Sequence, residues 1–281
     1  MSKAIKKRAG IVGWPISQSL SPTMHAHWMA QYGIDAEYLP LGVPPEEFSE
    51  RIVSLSESGF AGVNVTIPHK QAAYSLSSTL DADARAAGAV NLLIFQNEKI
   101  HGRNTDVSGF SAALNDSLGE GAARNGPVVL LGAGGAARAV VIALVKNGAK
   151  EIRILNRTCA RAEGLAKAVE GARIKVFEWG DWLPAFADAG LLVNTTSLGM
   201  VGKEPLDIAL EALPAETAVA DIVYNPHKTA LLRKASAQGL RTMDGLGMLM
   251  HQAAPAFAAW FGITPIVTRE LRMVLEAKLN G

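Results

Sequence analysis

The residues best placed to do chemistry lie in a few short clusters, and the most explicit is glycine-rich. In the run 128–138, Val-Val-Leu-Leu-Gly-Ala-Gly-Gly-Ala-Ala-Arg, Gly132, Gly134 and Ala137 have G-x-G-x-x-G/A spacing between an apolar strand pattern and a helical one. The first glycine permits a tight turn, the second lets backbone approach a pyrophosphate, and the alanine lets helix and strand pack closely. Alone the pattern is a weak signal, because glycine turns also arise for geometric reasons. The next apolar strand ends Leu155-Asn156-Arg157-Thr158. An NAD site carries an Asp or Glu there, about 20 residues beyond the glycines, to bond the ribose hydroxyls. No acid is present. A guanidinium is a fixed charge with a planar fork of donors, which suits a ribose 2′-phosphate, and Arg161 is a second candidate contact. The plainer alternative is a solvated surface charge; the place after a nucleotide-type turn favours phosphate and therefore NADP over NAD.

Four polar clusters, 17–21, 64–70, 88–91 and 102–106, follow or end predicted strands, where open α/β sheets place their ligands. Each has a bland reading. Ser21 before Pro22 reads as a helix N-cap, Asn91 and Asn104 as turn residues, and Lys70 and Asp106 as solvated charges. For Ser21 both readings are compatible, since hydroxyls at a helix start also suit a bound carboxylate.

The elements that position these clusters alternate between the two periods. Strands are expected at 9–13, 37–41, 62–67 and 89–95, with helices from Ser21 to Gly33, over 45–58 and after Pro68. In 62–67, Val63, Val65 and Ile67 share one face, and Asn64 and Thr66 the other. A Gly, Ala and Asn-rich break at 118–127 precedes a second α/β region with strands at 128–131, 151–155, 191–194, 218–223 and 241–243. Residues 246–280 read as helical, interrupted near Pro255 and Gly262.

Composition excludes several classes of function. With 281 residues, two domains is the natural division. A balance of 27 Lys+Arg against 26 Asp+Glu gives no field that would draw the chain to nucleic acid or anionic lipid. No apolar run approaches the roughly 18 residues of a membrane span, and the basic start lacks a secretory apolar region, so a cytoplasmic protein is expected. The single Cys159 forms no internal disulfide and reads as a small filler. His25 and His27 point about 200° apart on a helix and cannot chelate together. His101, His227 and His251 have no ligand-spaced partner, so no metal is expected.

Nine motifs then occur in a telling order: Ser-Leu-Ser-Pro (19–22), Asn-Val-Thr-Ile-Pro-His-Lys (64–70), Gly-Ala-Val-Asn (88–91), Asn-Thr-Asp (104–106), Gly-Ala-Gly-Gly-Ala-Ala-Arg (132–138), Asn-Arg-Thr (156–158), Asn-Thr-Thr-Ser-Leu-Gly-Met (194–200), Asp-Ile-Val-Tyr-Asn-Pro (221–226) and Gly-Leu-Gly-Met-Leu-Met-His-Gln-Ala (245–253). In order and spacing they resemble the shikimate dehydrogenase family over nearly the whole chain. The resemblance implies an α/β protein of two domains with the active site in the cleft between them. The substrate-binding domain is 1–106, mostly parallel, completed by C-terminal helices 243–281, and a Rossmann NADP-binding domain is 107–242.

It also implies NADPH-dependent reduction of 3-dehydroshikimate to shikimate by a monomer or homodimer whose partners are small molecules. By resemblance Ser19 and Ser21 bind the substrate carboxylate with Tyr224 nearby, and Thr66, Asn91, Asp106 and Gln252 bind ring hydroxyls. Lys70 and Asp106 resemble the catalytic pair. Gly132, Ala133, Gly134, Gly135, Ala136, Asn156, Arg157, Thr158, Arg161, Thr195, Ile222 and Gly245 match the cofactor-binding positions, Gly245 near the nicotinamide. Many relatives have an aromatic residue where His69 stands, Thr at Leu92 and Gly at Val107. Two rivals are an enzyme of broader specificity that also uses quinate, and a silent NADP-binding sensor, which would have no need of both Lys70 and Asp106.

Overall fold

The computed structural model describes residues 6–280. The chain divides into two compact units, one made of the residues up to Thr105 together with those from Gln252 onward, the other of Asp106–His251.

The first unit opens with β1 (Lys7–Gly13), α1 (Ser21–Gln31), β2 (Ala36–Gly42), α2 (Phe48–Glu57), β3 (Phe60–Val65), α3 (Lys70–Leu76), β4 (Thr79–Leu80), α4 (Ala82–Ala87), β5 (Leu92–Gln96) and β6 (Lys99–Arg103). Its sheet runs β2-β1-β3-β5-β6-β4. β1 lies parallel to β2 and β3, while β5 is antiparallel to both β3 and β6. Pro40 is tolerated in β2 because that strand is the sheet edge. One face packs Val12, Val63, Val65 and Leu93 against Phe48, Ile52 and Leu55 of α2. The opposite face packs Ala9, Ile11, Tyr38, Leu92 and Ile94 against Ala256 and Trp260 from the far end of the chain.

Three expectations are corrected here. Ile67 does not continue β3 into the core: the strand stops at Val65, and Ile67 is 74 % exposed. Pro68 has no N–H to give a ladder, and the chain turns instead, with the His69 N–H on the Thr66 carbonyl at 2.9 Å. Ser21 is not the N-cap of α1. That position is Leu20, and no side chain caps the helix. β6 is absent from the expected strands, because Asn97 and Glu98 both take left-handed conformations at φ 52° and 57° in the two-residue turn that joins it to β5, without the glycine that would flag it.

His25 sits in an aromatic cage in this unit. Its ring stacks on Tyr38 at 3.8 Å between centroids and 6° between planes, with Trp28, Phe257 and Trp260 within 5.8 Å. Neither ring nitrogen has a hydrogen-bond partner among the described residues. Burial without a partner penalises the cation and lowers the imidazole from 6.5 to about 3. Unfolded, the same side chain takes a proton near 6.5. Between these values the unfolded chain binds more protons, so acidification favours unfolding; above 6.5 the group contributes nothing. We expect about 2 kcal/mol of stability to be lost through His25 between pH 6.5 and pH 5. Denaturant melts at the two pH values check this, and His25→Phe should remove that part of the dependence.

The second unit comprises α5 (Asp106–Leu118), β7 (Val128–Leu131), α6 (Gly135–Lys146), β8 (Glu151–Asn156), α7 (Cys159–Ala168), β9 (Arg173–Glu178), α8 (Trp182–Phe186), β10 (Leu191–Asn194), β11 (Ala218–Asp221), α9 (Ala230–Ala237) and β12 (Thr242–Met243). Six parallel strands run β12-β11-β10-β7-β8-β9. Counted from the glycine-turn strand this is the doubly wound Rossmann order, which reverses between β7 and β10. β7, β10 and β11 are buried at every residue, as strands covered on both faces must be. The half-exposed edge strand β9 has no continuous apolar run and is not among the expected strands.

α10 (Gly245–Phe261) follows, then α11 (Arg269–Asn280). α10 passes through Pro255 unbroken and ends before Gly262, where φ is 80°. The lost bond at Pro255 is outweighed by the apolar face of Ala253, Ala256, Phe257 and Trp260, all buried. No described helix is long and apolar enough to cross a membrane.

Candidate active site

In the first unit three of the polar clusters, 64–70, 88–91 and 102–105, are joined by hydrogen bonds, while 17–21 stands at the start of α1. α1 begins at Ser21, and the Ser19 hydroxyl accepts the Ser21 N–H at 3.3 Å. Thr66 closes β3, its N–H bonded to the Val12 carbonyl at 2.9 Å, and packs so near Gly13 that a Cβ there would meet the Thr66 methyl at 2.5 Å. Lys70 opens α3, and its carbonyl accepts the Val90 N–H at 2.9 Å, which fixes the lysine backbone beside Asn91.

Asn91 is the hub. Its Oδ1 accepts the Thr105 N–H at 2.7 Å, and its Nδ2 donates to Thr105 Oγ1 at 2.9 Å and to Gln252 Oε1 at 3.3 Å. A residue of the 88–91 cluster thus meets one 161 positions away on α10. Asn104 holds the same corner, donating to the Ala89 carbonyl at 3.0 Å. Three neutral amides and hydroxyls gathered in one place suit a ligand rich in hydroxyl groups. His69 stacks nearly flat on Phe48 at 4.6 Å between centroids and places Nε2 2.8 Å from the Val43 carbonyl. It thereby fills an aromatic's place beside Lys70.

In the second unit Asp106 is buried as the first residue of α5, directly after Thr105 in the chain. The glycine turn stands after β7, with Gly132 at φ 98°; a Cβ on it would meet the Thr196 methyl at 2.8 Å. Gly134 and Gly135 are exposed, a Cβ on either would meet nothing within 4 Å, and no side chain caps α6. Asn156 ties two loops together, its Oδ1 accepting the Ala133 N–H at 3.1 Å and its Nδ2 donating to the Thr158 carbonyl at 2.8 Å. Arg157, Thr158 and Arg161 are exposed just beyond, and the Arg157 guanidinium lies over the Trp179 ring at 5.7 Å. This open helix start flanked by a fixed cation fits the phosphates of a dinucleotide with a 2′-phosphate.

The remaining expected positions line the same strand ends. Thr195 donates its hydroxyl to the Leu131 carbonyl at 2.7 Å, and the Ile222 N–H reaches the Asn194 carbonyl at 3.1 Å. Gly245 lies against Ile222, whose carbonyl would be 2.3 Å from an added Cβ, so no larger residue fits there. Burial raises the Tyr224 phenol above its ordinary range. Sequence reasoning gave no role to Asp221, which is fully buried and accepts from Asn194 Nδ2 at 2.9 Å, the Val223 N–H at 3.0 Å and the Thr229 hydroxyl at 2.7 Å. Burial raises its carboxyl to about 6 against the pull of those three donors. Its partners are 27, 2 and 8 residues distant, and it braces the loops that carry Thr195 and Ile222. Its only signal in the sequence is an acid within an otherwise apolar strand.

Residues 11–93 match the family model of the shikimate dehydrogenase substrate binding domain, and residues 117–226 that of shikimate / quinate 5-dehydrogenase. A shikimate dehydrogenase (NADP(+)) of Methylobacterium radiotolerans is 51 % identical over 277 residues, covering 98 % of each chain. The chain belongs to the shikimate dehydrogenase family. Among solved structures, the shikimate 5-dehydrogenase of Thermus thermophilus in complex with NADP(H) and shikimate is 35 % identical with a TM-score of 0.85, covering 98 % of both chains. The quinate dehydrogenase of Corynebacterium glutamicum in complex with NAD is 28 % identical with a TM-score of 0.87, over 98 % of this chain and 99 % of that one. Both shikimate dehydrogenase domains expected from the nine motifs are therefore present, on an α/β fold with a Rossmann unit.

Proposed function

We propose that this chain catalyses the reversible, NADP-dependent interconversion of shikimate and 3-dehydroshikimate. The observation that carries this reading is the bonded cluster of Asn91, Thr105 and Gln252 with Lys70 fixed beside it, set in a chain whose second unit offers Arg157 where an NAD site carries an acid. Ser19 and Ser21 take the carboxylate at the start of α1, with Tyr224 near it. Thr66, Asn91, Asp106 and Gln252 take the ring hydroxyls. NADP supplies the acceptor or donor of hydride. Gly132, Ala133, Gly134, Gly135 and Ala136 hold its pyrophosphate, Asn156, Arg157, Thr158 and Arg161 its phosphorylated ribose, and Thr195, Ile222 and Gly245 its nicotinamide end.

The chain's own residues then manage the proton. Ketone reduction needs a proton at oxygen as hydride reaches carbon, and Lys70 donates it from its ammonium. Asp106 fixes the lysine and the neighbouring substrate hydroxyl. With a net charge of +1 the protein has no field for nucleic acid, and its partners are small molecules met in the cytoplasm. Mixing the protein with shikimate and NADP should raise nicotinamide absorbance, with quinate and with NAD as the competing arms. Faster turnover of quinate than of shikimate, or no turnover of shikimate, would overturn the proposal.

A further inference from the structure

The arginine assigned to the 2′-phosphate rests on a residue outside all nine motifs, Trp179. β8 and the edge strand β9 are parallel, and their last paired residues are Asn156 and Glu178. The residues that follow, Arg157 and Trp179, therefore leave the sheet side by side. Trp179 enters a turn closed by the Asp181 N–H on the Glu178 carbonyl at 3.2 Å, with Gly180 at φ 115°. Its ring is anchored to the core through a second indole. Trp182 meets it edge to face at 5.1 Å and 75°, and lies in turn 5.7 Å from Phe186, which is fully buried in one cluster with Leu155.

Acids stand close by in the chain. Glu178 and Asp181 are exposed on either side of Trp179 in sequence, yet Arg157 pairs with neither among the described residues. An ion pair with either would occupy the fork of donors that a phosphate needs. Contact with the indole instead holds the guanidinium by its face, and its five N–H groups meet no protein acceptor among the described residues. Resting on the proposed cofactor site, we propose that Trp179 is a positioning residue that sets the preference for NADP over NAD. The indole confines Arg157 with its donors free, so the arginine gives up less freedom when it closes on the 2′-phosphate. NAD has no such phosphate, and its binding draws nothing from the arrangement. Trp179 acts on the ligand through Arg157.

Trp179→Leu keeps an apolar side chain on the core and removes the ring face. Calorimetric titration should show NADP and adenosine 2′,5′-bisphosphate binding about 3- to 10-fold more weakly, with NAD changed less than about 2-fold and KM for shikimate unaltered. Trp179→Phe restores a ring and should recover most of the loss. The pair Trp179→Leu with Arg157→Ala should bind NADP no worse than Arg157→Ala alone, since the indole acts only through the guanidinium. Should Trp179→Leu not fold, Trp179→Met also lacks a ring face, fills the space with a flexible apolar chain and carries the same expectations. A merely structural tryptophan would weaken NADP and NAD alike. That result, parental NADP binding in a folded variant, or losses that multiply in the pair would overturn the inference while Arg157→Ala still loses NADP selectively. A parent with no preference for NADP over NAD, or an Arg157→Ala protein with parental affinity for NADP, would overturn the reading of the cofactor site, and this inference with it.

Discussion

Lys70→Ala is expected to lower kcat by at least about 100-fold while the protein stays folded and still binds NADP. The expectation starts from what ketone reduction requires, a proton delivered to oxygen as hydride arrives at carbon. Of the cations in the first unit's polar clusters, Lys70 carries an ammonium that can give up a proton, the Arg103 guanidinium does not, and His69 beside Lys70 has its Nε2 on the Val43 carbonyl, turned to the core. The lysine's main chain is held by the Val90 N–H and by its place at the start of α3, neither of which involves the side chain. Truncation to alanine should therefore leave the surrounding frame intact. General acid catalysis typically supplies 10²- to 10⁴-fold, equal to about 3–5 kcal/mol of barrier, whereas an exposed ion pair typically contributes less than about 1 kcal/mol to stability and nothing to kcat. Single-turnover reduction at saturating NADPH reads the chemical step directly. A folded Lys70→Ala protein turning over shikimate at the parental rate would remove Lys70 from the mechanism.

The second large effect is expected at the cofactor. Arg157→Ala should weaken NADP binding by about 10- to 150-fold, the range that follows from losing one charge-assisted contact worth about 1.5–3 kcal/mol, and should leave NAD binding nearly unchanged. The geometry makes the substitution selective. Arg157 is exposed beyond β8 and rests over Trp179, which narrows its rotamers before any ligand arrives. The turn itself is held by Asn156, through Ala133 and Thr158, so it survives loss of the arginine. Titration of protein fluorescence with each dinucleotide checks this, and equal losses on both would show that Arg157 supports the loop and not the 2′-phosphate.

Local chemistry was the legible part of this molecule. The glycine turn, the arginine after the next strand and the buried parallel strands each declare themselves within about ten residues, because the physical requirement is itself local: a turn that needs no Cβ, a charge at a strand end, an unbroken apolar run. What was not legible is where polar side chains find one another. Tyr38 reads as an ordinary core aromatic on a strand, and only the fold brings it to Asn64, 26 residues away. Asp221 reads as an acid inside an apolar strand until Asn194 and Thr229 close on it. The misread elements have a shared cause as well. Ser21, Ile67 and Pro255 follow in the sequence the rules for isolated segments, and in each case a neighbour or a packed face decides otherwise: the Ser19 hydroxyl that takes the Ser21 N–H, the turn through Pro68 at Ile67, and the buried face of α10 at Pro255.

The bond between Trp260 and Leu93 bears on how the chain is made. The indole N–H donates to the Leu93 carbonyl at 3.2 Å through the gap left by Gly62, where a Cβ would come within 2.3 Å of the indole nitrogen and 2.1 Å of that carbonyl. The donor lies 167 residues after the acceptor. At a synthesis rate of about 5–20 residues per second, the strands of the first sheet wait roughly 10–30 s before the residue that covers them leaves the ribosome. During that interval the face of Ala9, Ile11, Leu92 and Ile94 lacks the part of its cover that Ala256 and Trp260 supply. The Asp106–His251 unit, by contrast, contains all six of its strands in one uninterrupted stretch and can close first. The order of completion is thus the reverse of the order of translation, and the half of the protein that is begun first is finished last.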